Sequence, residues 1–372
     1  MEETDKYEGF RDEAKLPGKK KKWPFILTAC ALAVMLFVGG FLFRGWIEPP
    51  QTDAPTASHS QQIGTQFSLT ITGEPEGDRL VRIGFIQYDL IESDRSKANT
   101  VSMQDTFNTS RGYELIVADG QNDHDRQLQI IAGFIQQDAD YIVIAPVQET
   151  GWDAVLQQAK GADIPVIFID RTVNASDDLY VTWIGSDYKE QGVKAMEWLK
   201  SFRGSTPVKA VHLQGTQGSL AQVGRSAAYT EACAINGWEN LAEMAVSGGF
   251  TQAKEITADW LARFPDINVV ITEDDDMTDG VIMAIEEAGM KAGGDDGITV
   301  ISFSASRKSL QFALDTSKIN CIVECNPLHG IYVADVIQKL QGDDSIPKSI
   351  YVEDTMFDWR DLSQTAVDAR AY

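Results

Sequence analysis

Charged and amide side chains in this chain recur directly behind apolar runs. Gln87 follows Val81–Ile86, Asp170 and Arg171 follow Val166–Ile169, Asp274 to Asp276 follow 268–272, and Ser304 follows 298–303. Arg95 and Arg225 sit in stretches with helical character. Carboxylates and guanidinium groups that converge can hold a hydroxyl-rich molecule through charge-assisted hydrogen bonds, each contributing about 1.5–3 kcal/mol. Each of these residues also has a plainer reading. Asp170-Arg171 suits a structural ion pair, Arg225 an exposed helix arginine, Arg95 a solvated helix start, and the three aspartates helix caps. Trp152 is expected in packing, with a rim role as the other option.

Other chemistries find less to work with. A calcium loop starting at Asp274 needs glycine at its sixth position and glutamate at its twelfth; Asp279 and Ile285 stand there. No phosphate-binding Gly-x-x-x-x-Gly-Lys-Ser/Thr, no dinucleotide Gly-x-Gly-x-x-Gly and no Gly-x-Ser-x-Gly elbow is present. Gly215-Thr216-Gln217-Gly218 is a turn whose N–H groups can face an oxygen-rich ligand. Four histidines give a zinc site little to build from, and His124 reads as a solvated surface residue. No enzyme chemistry and no cofactor are expected.

The elements that must position these residues follow from periodicity. Strands are expected at 81–86, 113–118, 141–144, 165–169, 208–213, 241–246, 268–272 and 298–303. Helices are expected between them at 95–110, 123–137, 150–160, 187–202, 219–236, 251–264 and 277–288, with Gly289 ending the last in the left-handed conformation. Strands apolar throughout, alternating with helices, indicate parallel sheets covered on both faces. Two such blocks imply an α/β fold of two doubly wound lobes. In such sheets a ligand binds beyond the carboxyl ends of the strands, which is where the polar residues above fall. Cys321 and Cys325 share one strand, about 13 Å apart at ~3.3 Å per residue, too far for a disulfide; buried thiols are expected.

The ends of the chain differ in kind. Lys19 to Lys22 precede an apolar run of 21 residues, Trp23 to Phe43, with no charge in it. About 20 such residues suffice to cross a bilayer, and the lysines place the short tail, 1–22, in the cytoplasm. Leu27-Thr28-Ala29-Cys30 offers the alternative of a lipidated cysteine, but the apolar stretch before Cys30 is short for a signal peptide and continues beyond it. An uncleaved anchor at 23–43 is therefore expected, with a linker at 44–79. The formal net charge of −23 lies almost wholly beyond the anchor. It disfavours nucleic acid and anionic lipid as partners.

Several motifs together resemble the type I periplasmic sugar-binding proteins, the galactofuranose-binding proteins of bacterial ABC transporters among them. They are Ile144-Ala145-Pro146-Val147, Ile164 to Arg171, Gly185-Ser186-Asp187, Leu213 to Thr216 with Arg225, Asp275-Asp276-Met277, and Glu324-Cys325-Asn326-Pro327. The resemblance covers about 81–360. It implies lobes at 80–186 plus 326–350 and 187–325 plus 351–372, joined by crossings near 186, 325 and 350. It also implies ligand contacts at Asp170, Arg171 and Arg225. The chain departs from that pattern where the family carries Glu-Ser-Gly/Asp-Trp-Arg. Glu92-Ser93-Asp94-Arg95-Ser96 puts Arg95 at the tryptophan and Ser96 at the arginine; Asp274 replaces an asparagine and Ser304 an aspartate. The implied role is capture of a monosaccharide or related polyol outside the cell, by lobe closure, for an ABC-transporter permease. The alternative partner is a histidine kinase or chemoreceptor, with the protein as its sensing ectodomain. A repressor of related lobe fold would need a DNA-reading helix pair where the apolar run stands.

Overall fold

The computed structural model of the chain describes residues 79–372, apart from Glu92 and Gly248. In chain order, β1 (Val81–Gln87), α1 (Asp94–Thr106), β2 (Tyr113–Asp119), α2 (His124–Gln136), β3 (Tyr141–Ile144), α3 (Asp153–Gly161), β4 (Val166–Ile169) and β5 (Thr182–Ser186) come first. Then follow α4 (Tyr188–Arg203), β6 (Lys209–Gln214), α5 (Leu220–Asn236), β7 (Glu239–Ala245), α6 (Gly249–Arg263) and β8 (Val269–Ile271). After these come α7 (Asp275–Glu287), β9 (Thr299–Ser304), α8 (Arg307–Thr316) and β10 (Cys321–Glu324). The last are α9 (Gly330–Gln341), β11 (Ser349–Val352), β12 (Met356–Asp358) and α10 (Gln364–Asp368).

The strands sort into two six-stranded sheets, β11-β5-β4-β3-β1-β2 and β12-β10-β9-β8-β6-β7. All pairings in the first are parallel; in the second only β12 runs antiparallel, beside β10. The expected two-sheet α/β architecture is thus present. Every residue of β4 and β10 is buried, because helices cover both faces. The first sheet packs one core around Phe85, Val143, Ile167 and Val333 and another around Ile142, Trp152 and Phe168. The second does the same around Val211, Trp260 and Ile322 and around Leu199, Tyr229 and Phe303. The chain passes between the sheets after Ser186, after Glu324 and after Val352.

Local differences from the periodicity have local causes. The helix expected to reach 110 ends at Thr106, because Phe107 turns extended and buries its ring in the core. The helix expected to start at Thr150 starts at Asp153. Gly151 at φ +93° turns the chain there, and Trp152 inserts beneath it. Strand β5 carries Thr, Gly and Ser and so lacks an apolar signature, yet all of it is buried; the Thr182 hydroxyl donates to Pro347 O at 2.7 Å. Gly289 takes φ +74°, as its place after a helix suggests. Cys233, Cys321 and Cys325 are free thiols, the last two buried.

The lysine cluster, the apolar run at 23–43, Cys30 and all of the 44–79 linker except Arg79 lie outside the described residues. Among the described residues no helix is long and apolar enough to cross a membrane.

Candidate functional site

The carboxyl end of β4 delivers Asp170 in the left-handed region, φ +67°. Such a backbone costs about 1–3 kcal/mol and persists where its surroundings fix it. Here Asp170 N–H donates to Ile184 O at 2.9 Å and the Trp183 indole donates to Asp170 O at 3.2 Å. The carboxylate is thereby turned toward the start of α1, where Arg95 Nη2 donates to Oδ1 at 2.9 Å. Burial works to raise the Asp170 carboxyl, but Arg95, His329 and Arg171 outweigh it and hold it below the ordinary range. The acid stays ionised, and its Oδ2 has no protein donor among the described residues.

Arg95 reaches further. Its Nη1 donates to Cys325 O, the first residue of the second crossing. Tyr188, on α4, and Tyr372 lie near the same guanidinium, so residues of both lobes surround it. Ser96, where the resemblance places an arginine, is buried and spends its hydroxyl on Ser93 O at 2.8 Å. Arg95, one position earlier, carries the guanidinium that meets Asp170. Arg171 points outward. Its Nη1 donates to Val147 O at 3.0 Å and the group lies over the Tyr88 ring at 5.0 Å, which leaves further N–H groups uncommitted.

Arg225 stands in the second lobe. Gly192 and Gly224 let α5 lie tightly on α4: a Cβ at Gly192 would meet Ala228 Cβ at 2.7 Å, and one at Gly224 would meet Lys189 N at 2.8 Å. That approach puts Arg225 against Gln191. Its Nε and Nη2 donate to Gln191 Oε1 at 2.9 and 2.7 Å, and its Nη1 donates to Glu273 Oε2 at 2.5 Å and to Glu273 O at 3.2 Å. Phe303 lies 4.2 Å below the guanidinium. Glu273 Oε1 is 3.1 Å from His212 Nε2. Burial raises the Glu273 carboxyl, and Arg225 with His212 outweighs it, leaving it depressed.

The other sequence candidates take supporting places. Gln87 is fully buried; its Nε2 donates to Ser96 O at 3.2 Å and its Oε1 accepts from Tyr88 N–H at 3.1 Å, so it positions the start of α1. Asp274 caps α7, accepting Met277 N–H at 2.8 Å; burial raises its carboxyl. Ser304, at φ +123° and followed by Ala305 at +64°, turns the chain out of β9. Its carbonyl accepts Cys325 N–H at 3.3 Å. Trp152 is core. The expected solvation of His124 is not found: both ring nitrogens are buried, without a hydrogen-bond partner among the described residues. Its ring sits edge-on to Trp152 at 4.5 Å, because the Gly151 turn folds over it.

Periodicity pointed to Glu273 only as part of the stretch behind the strand at 268–272, and gave no sign of Gln191, His212, His329 or Asp354. Two of them sit inside strands or helices of ordinary pattern, and the rest lie in strand-end loops. The apposed Gly192 and Gly224 are the only sequence trace of the tight α4–α5 packing that assembles Arg225. A groove of about 390 Å³ lies elsewhere, on the second lobe, between Phe250, Asp275, Ile282, Met283, Lys308 and Phe312.

Two α/β sheets crossed three times by the chain, with charged residues at the strand ends, define a two-lobed binding protein. A family model described as a periplasmic binding protein domain matches residues 100–340, and the chain belongs to that family. It is 31% identical over 281 residues to the galactofuranose-binding protein YtfQ of Escherichia coli, covering 72% of this chain and 84% of that one. A Mycobacterium smegmatis crystal structure in complex with β-D-fucofuranose is 35% identical, with a TM-score of 0.63 over 78% of this chain and 93% of that one. The binding-protein component of the arabinose ABC transporter of Shewanella sp. ANA-3, bound to L-arabinofuranose, is 29% identical, with a TM-score of 0.65 over 77% and 97%.

Proposed function

We propose that this chain captures a sugar, with furanoses the first class to test, by closing its two lobes around it outside the cell. The observation that carries this reading is the Asp170 carboxylate. It is held ionised at a strand end by Arg95, with one oxygen uncommitted and with Arg171 adjacent. A furanose presents hydroxyls that donate to such an oxygen and accept from such a guanidinium. The relatives named above support the ligand class. Asp170, Arg171 and Arg95 form the first lobe's side of the site, with Gln87 fixing the helix that bears Arg95. Arg225, Asp274 and Ser304 contribute the second lobe's side.

The ligand-loaded protein would present its cargo to an ABC-transporter permease, and no chemistry is performed on the sugar. A sensor ectodomain draws no support from the relatives, several of which are import or transport proteins by name. The apolar run at 23–43 tethers the chain to the membrane, with the bulk outside. This part rests on the Lys19–Lys22 cluster and the uncharged 21 residues after it. Mass spectrometry of the native protein is expected to find the peptide before Cys30 intact; a lipidated Cys30 would replace a spanning anchor with a lipid one. Titration calorimetry of the whole chain with galactofuranose, fucofuranose, arabinofuranose, ribose and fructose tests ligand capture. Micromolar binding, about 8 kcal/mol, of at least one is expected; heatless titrations throughout would refute sugar capture.

A further inference from the structure

A single buried carboxylate joins all three crossings between the sheets. Asp354 lies in the third, between β11 and β12. Its Oδ1 accepts from Ser186 Oγ at 3.2 Å, at the end of β5, and from Asn326 N–H at 2.7 Å, in the second crossing. Its Oδ2 accepts from Gln191 Nε2 at 2.8 Å. Gln191 in turn presents Oε1 to Arg225. Asp354 is 5% exposed and Gln191 1%. An unbroken buried chain of hydrogen bonds therefore runs from Arg225, in the second lobe's half of the cleft, to the hinge.

We propose that Gln191 is a positioning residue that fixes the hinge to the cleft floor, so that the angle between the lobes and the placement of Arg225 change together. The side chain suits this task through its polarity. An amide carries an acceptor at one end and donors at the other; here the acceptor faces a guanidinium and the donors face a carboxylate. Turning the amide over would set N–H against N–H and oxygen against oxygen, so the network fixes its orientation. Gln191 does not touch ligand space itself. It acts through Arg225 on one side and through the three crossings on the other, and a ligand bridging the lobes stabilises the hinge angle this network holds. The inference rests on the reading that the lobes hinge around a ligand.

The test uses Gln191→Glu in the full chain. The carboxylate keeps the bond to Arg225 but faces Asp354 with a second negative charge. The groups around Asp354 are Lys194, whose Nζ donates to Asp354 O at 2.7 Å, with Glu324 and Tyr332 nearby and Arg225 beyond residue 191. Burial already raises the Asp354 carboxyl, and a facing glutamate raises it further. Protonation of one of the two restores a hydrogen bond between them. Interlobe distance is read by pulsed electron resonance between labels on unnatural residues at the exposed Asp125 of α2 and Glu255 of α6, without ligand. Near neutral pH the variant is expected to show a broadened, longer distribution than the parent, which narrows back at a second, acidic pH where the pair takes up a proton. The parent is expected to change little between the two. Ser186→Ala removes one hinge bond without adding charge and should broaden the distribution modestly at both pH values; it serves if Gln191→Glu fails to fold. A Gln191→Glu distribution like the parent's at neutral pH, or one equally broad at both pH values, overturns the proposal, as does an unchanged Ser186→Ala. Failure of sugar capture shows separately, in the parent's titration.

Discussion

Each lobe sets an arginine against a carboxylate with a histidine close by, but the two clusters are built to different ends. In the first, the Arg95 and Asp170 side chains are 25% and 15% exposed. One carboxylate oxygen and most of the neighbouring Arg171 are uncommitted. In the second, the Arg225 and Glu273 side chains are 5% and 4% exposed. There Nε and both terminal nitrogens of the arginine are engaged by Gln191 and Glu273, and the glutamate is shared with His212. We propose that the saturated, buried pair fixes the shape of the second lobe's wall of the site, while the partly open pair makes the charged hydrogen bonds to ligand. Sequence could not tell them apart, since both read as a charged residue behind a strand.

The largest expected effect follows from breaking the saturated pair. Arg225→Ala leaves Glu273 buried without its countercharge and should lower unfolding free energy by about 3–5 kcal/mol, measured by urea denaturation. A variant that keeps parental stability would make the second cluster the open one and dissolve the contrast. Arg95→Ala is expected to cost distinctly less.

Protons probe the same contrast. His329 is fully buried beside the first cluster. Burial lowers it most, and Arg95 adds to this while Asp170 opposes, leaving it at about 4. The unfolded chain takes up this proton near pH 6.5, the folded chain only near 4. The parent should therefore lose stability as pH falls through that window, by up to about 3 kcal/mol. His329→Gln should remove that loss. Denaturation midpoints at steps across the window read it; parallel curves for parent and variant would show that His329 is not held neutral. Asp170 acts below this range: its depressed carboxyl supports folding above the unfolded value and ceases to as pH falls through the folded one.

Smaller effects sharpen the recognition side. Asp170→Asn keeps the volume and loses the charge. It should weaken sugar binding by roughly 1.5–3 kcal/mol, an order of magnitude or more in affinity by calorimetry, with a modest change in stability. Arg171→Ala should weaken binding less, since the group is exposed and screened, with unfolding unchanged. Equal losses of stability and affinity in either variant would mean that this cluster too is structural.

How much of this was legible depends on what each residue does. The strands with continuous apolar runs were readable, because both faces of each sheet are covered and no alternation dilutes the signal. Strand β5 was not, because its hydroxyls are buried and satisfied by distant groups, Thr182 by Pro347 O and Ser186 by the Asp354 carboxylate, which composition does not reveal. Asp170 and Arg171 were findable from their place behind β4. Gln191 was not: a glutamine in a helix reads as solvent-facing, and its burial depends on a helix contact that only Gly192 and Gly224 foreshadow. Ser96 read as the loss of an arginine from the family pattern, and the sequence did not show that Arg95, beside it, meets the Asp170 carboxylate.

The central claim is that the open cluster of the first lobe and the rigid cluster of the second close on one hydroxylated ligand. The most direct measurement is small-angle X-ray scattering of the full chain before and after saturation with the furanose that calorimetry selects. A smaller radius of gyration with ligand, absent in Asp170→Asn, is the expected result. Unchanged scattering from the parent at saturation would contradict the account.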